Sequence, residues 1–218
     1  MSRIIRIRKE KIALIEKQIE DYLKTIKNAK TPKGKPKKHS YRNYLMALTW
    51  FSTGLRVSEM CNFTIDWIEK GIGFHIHIKQ NKSPFVFKPK YGSTRRIPIK
   101  KDLFNKLNKY LGGRTKGYVF KPQTSKPYAR FHDKSLIYLF NIYFVKTPSI
   151  GRNLGTHTFR RTFASQLDVS KPPVPLAKIS YYLGHKDVAT TVGYLKQITD
   201  DEHNELLGAD YIKNIHKY

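Results

Sequence analysis

The chain has 218 residues, enough for one large domain with an appendage, and its 42 Lys and Arg against 16 Asp and Glu leave a formal charge of +26. Self-repulsion of that size points to a polyanionic partner, nucleic acid first and an anionic membrane surface second. No run of about 18 apolar residues offers a membrane span, Met1-Ser2-Arg3-Ile4-Ile5-Arg6 lacks the apolar core of a secretory signal, and the single Cys61 excludes an internal disulfide. The sequence also holds no Cys/His cluster at zinc spacing. The chain therefore reads as intracellular (cytoplasmic), reduced and metal-free, with Cys61 a buried structural thiol.

Residues 9–28 carry helical periodicity, with Ile12, Ile15, Ile19 and Leu23 on one face. Lys27 to Lys38 follows, with six lysines around Pro32, Gly34 and Pro36, a composition that predicts a flexible basic linker. Helix and linker together occupy 1–39, and the main domain is expected over 40–218. An aromatic-rich helix over 40–53 stops at Gly54, and a short helix starts around Val57. From Ile72 to Ile99 the period changes to two. Segments 72–78, 85–87 and 95–99 read as strands, with turns at 81–84 and 91–93. Helices are expected at 101–111, around 131–146, and at 156–168, 175–183, 187–196 and 201–216. Tyr138, Phe140, Tyr143 and Phe144 read as core. The fold class is mainly α with a small three-stranded antiparallel β-sheet.

Four segments carry chemistry. In Thr53-Gly54-Leu55-Arg56-Val57-Ser58-Glu59, Arg56 follows a glycine turn at a helix start, where a guanidinium and backbone N–H groups can meet a phosphate. Glu59 shares its helix face and can hold or balance it; each residue also reads as an ordinary surface charge or cap. The second, Lys88 to Ile99, places Lys90 on a hairpin turn, and a lysine among cations is suited to donating a proton. The third, His157-Thr158-Phe159-Arg160-Arg161, sets His157 and Arg160 on one face at a helix N-terminus capped by Thr156, with Arg161 directed elsewhere as a phosphate-backbone contact. In the fourth, Tyr182 to Tyr194, Gly184 ends one helix, Asp187 caps the next, and His185 projects from the loop between them. Tyr194 is one tyrosine among 14, and stands apart by its place about two turns beyond that loop.

In this order the segments resemble the catalytic domain of the tyrosine recombinases, the family of phage integrases and chromosome-dimer resolvases. Gly54 to Glu59 is similar to the family's Gly-Leu-Arg-x-x-Glu box, and His157 with Arg160 to its His-x-x-Arg box. His185, followed nine residues later by Tyr194, is similar to its Leu-Gly-His box and nucleophile. The family lysine lies eight residues before a strand proline; counting back from Pro98 reaches Lys90. The resemblance covers roughly residues 40–198. It implies that Arg56, Arg160 and His185 clamp a scissile phosphate and that Tyr194 attacks phosphorus to give a 3′-phosphotyrosine. It implies further that His157 accepts a proton and that Lys90 protonates the leaving 5′-oxygen, with neither metal nor ATP as cofactor.

The sequence departs from the family in two places. Fewer than 40 residues precede the catalytic segment, where family members carry a helical clamp of about a hundred, and the lysine turn reads Lys-Pro-Lys-Tyr-Gly, leaving Lys88 and then Lys82 as competitors for the proton donor. Lys35, Lys37, Lys38, Arg95 and Arg161 are the expected DNA-binding residues. The implied partners are double-stranded DNA and further copies of the chain, a tetramer on DNA with the 201–216 helix docked on a neighbour or on its own core. The expected activity is site-specific recombination or integration, as on a mobile element. The rivals are relaxation of supercoils by a type IB topoisomerase-like enzyme and non-catalytic regulation by DNA binding.

Overall fold

A computed structural model describes residues 13–35, 37–80, 87–90, 94–123 and 129–195, the side chains of 193–195 excepted. Helix α1 (Glu16–Lys27) turns Ile19, Tyr22, Leu23 and Ile26 to one side and buries them, the spacing of an amphipathic helix. Its start is fixed by Gln18, whose Oε1 accepts from the Ile15 N–H at 3.2 Å. The lysine-rich stretch that follows contains a hydrogen-bonded turn. Gly34 N–H donates to Thr31 O at 2.9 Å, Thr31 N–H to Lys35 O at 2.7 Å and Lys37 N–H to Ala29 O at 2.9 Å, so backbone bonds fold it into a turn while Lys30, Lys33, Lys35 and Lys38 are exposed.

Helix α2 (Ser40–Thr53) buries every residue from Asn43 to Phe51 and runs through the middle of the molecule. It ends at Gly54 in the left-handed region, φ 58°. The short α3 (Val57–Cys61) and a 3₁₀ turn at Ile65–Trp67 lead into the sheet. Strands β1 (Ile68–Lys70), β2 (Phe74–Ile78) and β3 (Arg95–Ile99) pair antiparallel in chain order, with Ile76 opposite both Ile68 and Ile97. Ile76, Ile78, Ile97 and Ile99 face inward, and the outer face carries Glu69, His77 and Arg96 joined by hydrogen bonds of 2.8 and 3.1 Å.

The described sheet has three antiparallel strands, as expected, and 74–78 and 95–99 fall within two of the expected segments. The third strand is Ile68–Lys70, a segment whose three residues are too few to show a period. Phe85 and Val86 lie outside the described residues, and Phe87 is buried with its ring 5.4 Å from that of Trp67.

The remaining helices are α4 (Lys101–Leu111), α5 (Asp133–Lys146), α6 (His157–Asp168), α7 (Leu176–Leu183) and α8 (Val188–Leu195). The expected helix at 201–216 lies outside the described residues. Two smaller expectations are corrected. Tyr138 is 71% exposed on α5, whereas Phe140, Tyr143 and Phe144 are core, because the α5 helix turns position 138 to the opposite side. Thr156 makes no side-chain cap on α6 and already has helical dihedrals, φ −72° and ψ −17°, rather than the extended backbone of a capping residue. Asp187 does cap α8, accepting from the Ala189 N–H at 3.0 Å. Cys61 is buried, and burial pushes its thiol pKa up, as for an inert structural cysteine. Among the described residues no helix is long and apolar enough to cross a membrane.

The core is centred on Phe159 of α6. Its ring stacks on Trp50 at 4.5 Å and meets Phe51 at 4.6 Å, Phe144 at 5.4 Å and Phe140 edge-on at 5.7 Å. Tyr22 of α1 stacks on Phe144 at 4.3 Å and donates its hydroxyl to Phe140 O at 3.0 Å, tying α1 into the same core. Beside it, α2 and α6 approach closely at Gly54, where an added Cβ would stand 2.6 Å from Phe163 Cδ1. Positive φ and this clash act together, so Gly54→Ala should destabilise the fold by at least about 1 kcal/mol, read as a lowered urea midpoint at unchanged slope.

Candidate active site

The C-terminal end of α7 organises the site. A helix leaves its last carbonyls without intrahelical partners, and the summed peptide dipoles make that end partially negative. Gly184, at φ 63°, terminates α7, and the His185 N–H returns to Ser180 O at 3.1 Å. The carbonyls of Tyr182, Leu183 and Gly184 then take one guanidinium each. Arg95 Nε donates to Tyr182 O at 2.7 Å, Arg160 Nη2 to Leu183 O at 2.8 Å, and Arg56 Nη2 to Gly184 O at 2.6 Å. Arg160 Nη1 also donates to the carbonyl of Gly54, the matching end of α2. The two glycine stops read from the sequence thus supply the acceptors that aim the arginines.

Among the described residues Glu59 is the one carboxylate bonded to these arginines, and it is fully buried. Arg95 holds it with two bonds, Nη1 to Oε1 at 2.9 Å and Nη2 to Oε2 at 2.8 Å. Arg56 adds Nη1 to Oε1 at 3.1 Å, and its own N–H donates to Oε2 at 2.7 Å. Burial alone would raise the Glu59 pKa. Arg95, followed by Arg160 and Arg56, overcomes that and holds it down at about 2, against 4.5 for the free group.

Two histidines flank the guanidiniums. His185 Nε2 lies 3.3 Å from Arg160 Nη2, and its Nδ1 lies 2.8 Å from Thr191 Oγ1. Partial burial, then Arg160, Arg56 and Arg95, lower its pKa to about 4, so its ring is neutral at neutral pH. His157 opens α6 and is exposed. Partial desolvation followed by Arg160, Arg161 and Arg56 lowers its pKa as well, which leaves it neutral and able to accept a proton.

The structure thus joins Arg56, Glu59, Arg160 and His185 in one bonded network, with His157 within reach of its charges. Tyr194 lies in α8, the helix that begins three residues after His185; its side chain is outside the described residues. Lys88 and Lys90 are exposed on the segment entering β3, either side of a buried Pro89, and Lys82 lies outside the described residues. Lys35 and Lys38 are exposed, and Lys37 and Arg161 are half-buried.

Arg95 is the correction. Expected at the DNA surface, it is 1% exposed, because β3 points it inward with Ile97 and Ile99, where Glu59 and Tyr182 O take its donors. Thr191 was missed altogether. A buried hydroxyl needs a partner, but a threonine in Ala-Thr-Thr-Val gives no sign of which one.

The helical scaffold and clustered guanidiniums define a class. Residues 13–200 match the phage integrase family, and the chain belongs to it. Among its relatives is the tyrosine recombinase XerA of Pyrococcus horikoshii, 28% identical over 205 residues that cover 87% of this chain and 67% of that protein. The crystal structure of a XerA recombinase superposes with a TM-score of 0.67 at 19% identity, covering 95% of this chain and 65% of that one. The Tn1549 transposon integrase, solved as a variant in complex with transposon right end DNA, superposes with a TM-score of 0.64 at 19% identity, covering 91% and 66%. The chain spans about two thirds of the length of each.

Replacing Glu59 by Gln should destabilise the protein by roughly 3 kcal/mol at neutral pH, since buried guanidiniums lose their counter-charge. A depressed carboxyl pKa contributes stability that is whole above about 4.5 and is lost as pH falls toward about 2. The gap between wild type and variant should therefore close over that acid range in denaturant titrations run at several pH values.

Proposed function

We propose that the chain is the strand-cleaving and rejoining part of a site-specific DNA recombinase or integrase, acting through a covalent 3′-phosphotyrosine on Tyr194. The observation that carries the reading is the charge of the cluster. Among the described residues three guanidiniums, those of Arg56, Arg95 and Arg160, stand against the single carboxylate of Glu59, an excess of two positive charges. A phosphodiester brings one negative charge, and the pentacoordinate transition state formed by an attacking phenolate carries two, so attraction grows along the reaction coordinate.

In this mechanism Arg56, Arg160 and His185 hold the non-bridging oxygens and His157 takes the tyrosine proton. The Tyr194 oxygen bonds to phosphorus as the bond to the 5′-oxygen breaks. Lys90, or Lys88 beside it, supplies a proton to that leaving oxygen. The new ester keeps the phosphodiester's free energy, and attack by a 5′-hydroxyl reverses the step on the same or another strand. Double-stranded DNA as partner is supported by the +26 charge and by the DNA complex of the Tn1549 integrase. Lys35, Lys37, Lys38 and Arg161 are assigned to its backbone, and strand exchange between two sites calls for several copies of the chain, a tetramer in the simplest case.

The test is trapping. A pool of random duplexes with sulfur in place of the bridging 5′-oxygen should yield a covalent protein–DNA adduct, since a 5′-thiol re-attacks poorly, and Tyr194→Phe should abolish it. No adduct from the wild type, or an adduct surviving in the Phe variant, overturns the mechanism. On ordinary DNA, loss of the general acid should slow cleavage by roughly 100-fold or more, and the sulfur substrate should rescue only the lysine that serves as acid. Comparing Lys88→Ala with Lys90→Ala on both substrates therefore assigns it.

A further inference from the structure

We infer that Thr191 is a positioning residue for His185, fixing the proton on Nδ1 and thereby reserving Nε2 for the substrate phosphate; the inference rests on the recombinase reading of the same site. A guanidinium can only donate, so the contact of 3.3 Å between Arg160 Nη2 and His185 Nε2 makes Nε2 an acceptor. A neutral imidazole with an accepting Nε2 carries its proton on Nδ1. That proton has a partner 2.8 Å away, the hydroxyl of Thr191, whose side chain is wholly buried. The bond sets both the tautomer and the ring plane, as the orienting group does wherever an imidazole serves at a reactive centre.

Thr191 also sits on the helix that bears Tyr194, one turn earlier. A single hydrogen bond thus links the helix of the nucleophile to the ring that would touch the phosphate, and both lie against α6, the helix of Arg160. When a phosphate oxygen takes the Arg160 donor, Nε2 is left facing that oxygen. A proton taken up there from solvent makes His185 a cationic donor without disturbing the bond from Nδ1 to Thr191. Without the hydroxyl, Nδ1–H loses its acceptor at 2.8 Å in a half-buried setting, and the ring gains a reason to turn.

Two substitutions separate the hydroxyl from the methyl group. Thr191→Val keeps the branched shape and removes the hydroxyl; Thr191→Ser keeps the hydroxyl and removes the methyl. On the sulfur-containing duplex in single-turnover conditions, Thr191→Val should form adduct roughly 10- to 100-fold more slowly, the range for losing a group that orients a functional imidazole. Thr191→Ser should restore most of the rate. DNA affinity should change less than about threefold for both, because the arginines that meet phosphate remain in place. A Val variant as fast as wild type, or a Ser variant as slow as Val, overturns the inference and leaves Thr191 a packing residue. A second readout is independent of cleavage: ¹⁵N spectra of histidine-labelled free protein, with His185 assigned by its loss in His185→Gln, should show the proton on Nδ1. A proton on Nε2 overturns the inference even where trapping succeeds. Absence of any adduct from wild type indicts the recombinase reading instead.

Discussion

Three guanidiniums gathered within a few ångströms repel one another, and holding them there is the constraint on which the rest of the site depends. The fold meets it with two kinds of acceptor. One is the carbonyl end of α7, where Tyr182, Leu183 and Gly184 each receive one arginine. The other is Glu59, a buried carboxylate shared by Arg95 and Arg56. The participants come from β3, α3, α6 and the α7 end, so the sheet and the helices are locked together where charge is concentrated. Donors fixed in this way need not reorganise when a substrate arrives, which is what makes an electrostatic site effective.

The apolar core and the site are two faces of the same elements. On α6, Phe159 and Phe163 pack against α2 while Arg160, next to Phe159, crosses to the carbonyls of Gly54 and Leu183. The stack of Phe159 on Trp50 therefore fixes the rotation of α6, and with it the direction of Arg160. Gly54 serves both sides: its missing Cβ admits Phe163, its positive φ stops α2, and its carbonyl receives Arg160. A residue change far from any charge in this region would reach the site through that rotation.

Much of this was legible in the sequence, and the failures have physical causes. Helices with glycine stops, at Gly54 and Gly184, were readable almost to the residue, because a left-handed terminus needs that residue type. Arg56, Glu59, Arg160 and His185 were marked by spacing, and the structure brings them together. Arg95 was misplaced although a signal existed: in an alternating strand its parity is that of Ile97 and Ile99, the buried ones, and basic composition outweighed that rule. The turn after α1 was not announced by its lysine-rich composition. Its order comes from backbone hydrogen bonds that side-chain composition does not record. Thr191 was invisible, since the partner of a buried hydroxyl is decided by tertiary packing alone.

Exposure then separates roles among groups of the same chemistry. Arg95 has three of its nitrogens in internal bonds and 1% of its surface in contact with solvent, so it acts as the counter-charge that keeps Glu59 ionised and in place. The Arg56 side chain keeps 17% of its surface, the largest share of the partners of Glu59. Arg56 is thus the more exposed guanidinium on Glu59, a carboxylate already held by two bonds from Arg95. Without Arg95, Arg56 would be left as the main cation on Glu59, and its guanidinium would be committed to the protein itself. The buried ion pair is thus less a source of stability, which such pairs supply poorly, than a means of keeping the outer guanidinium only partly engaged by the protein, as the proposed phosphate clamp requires.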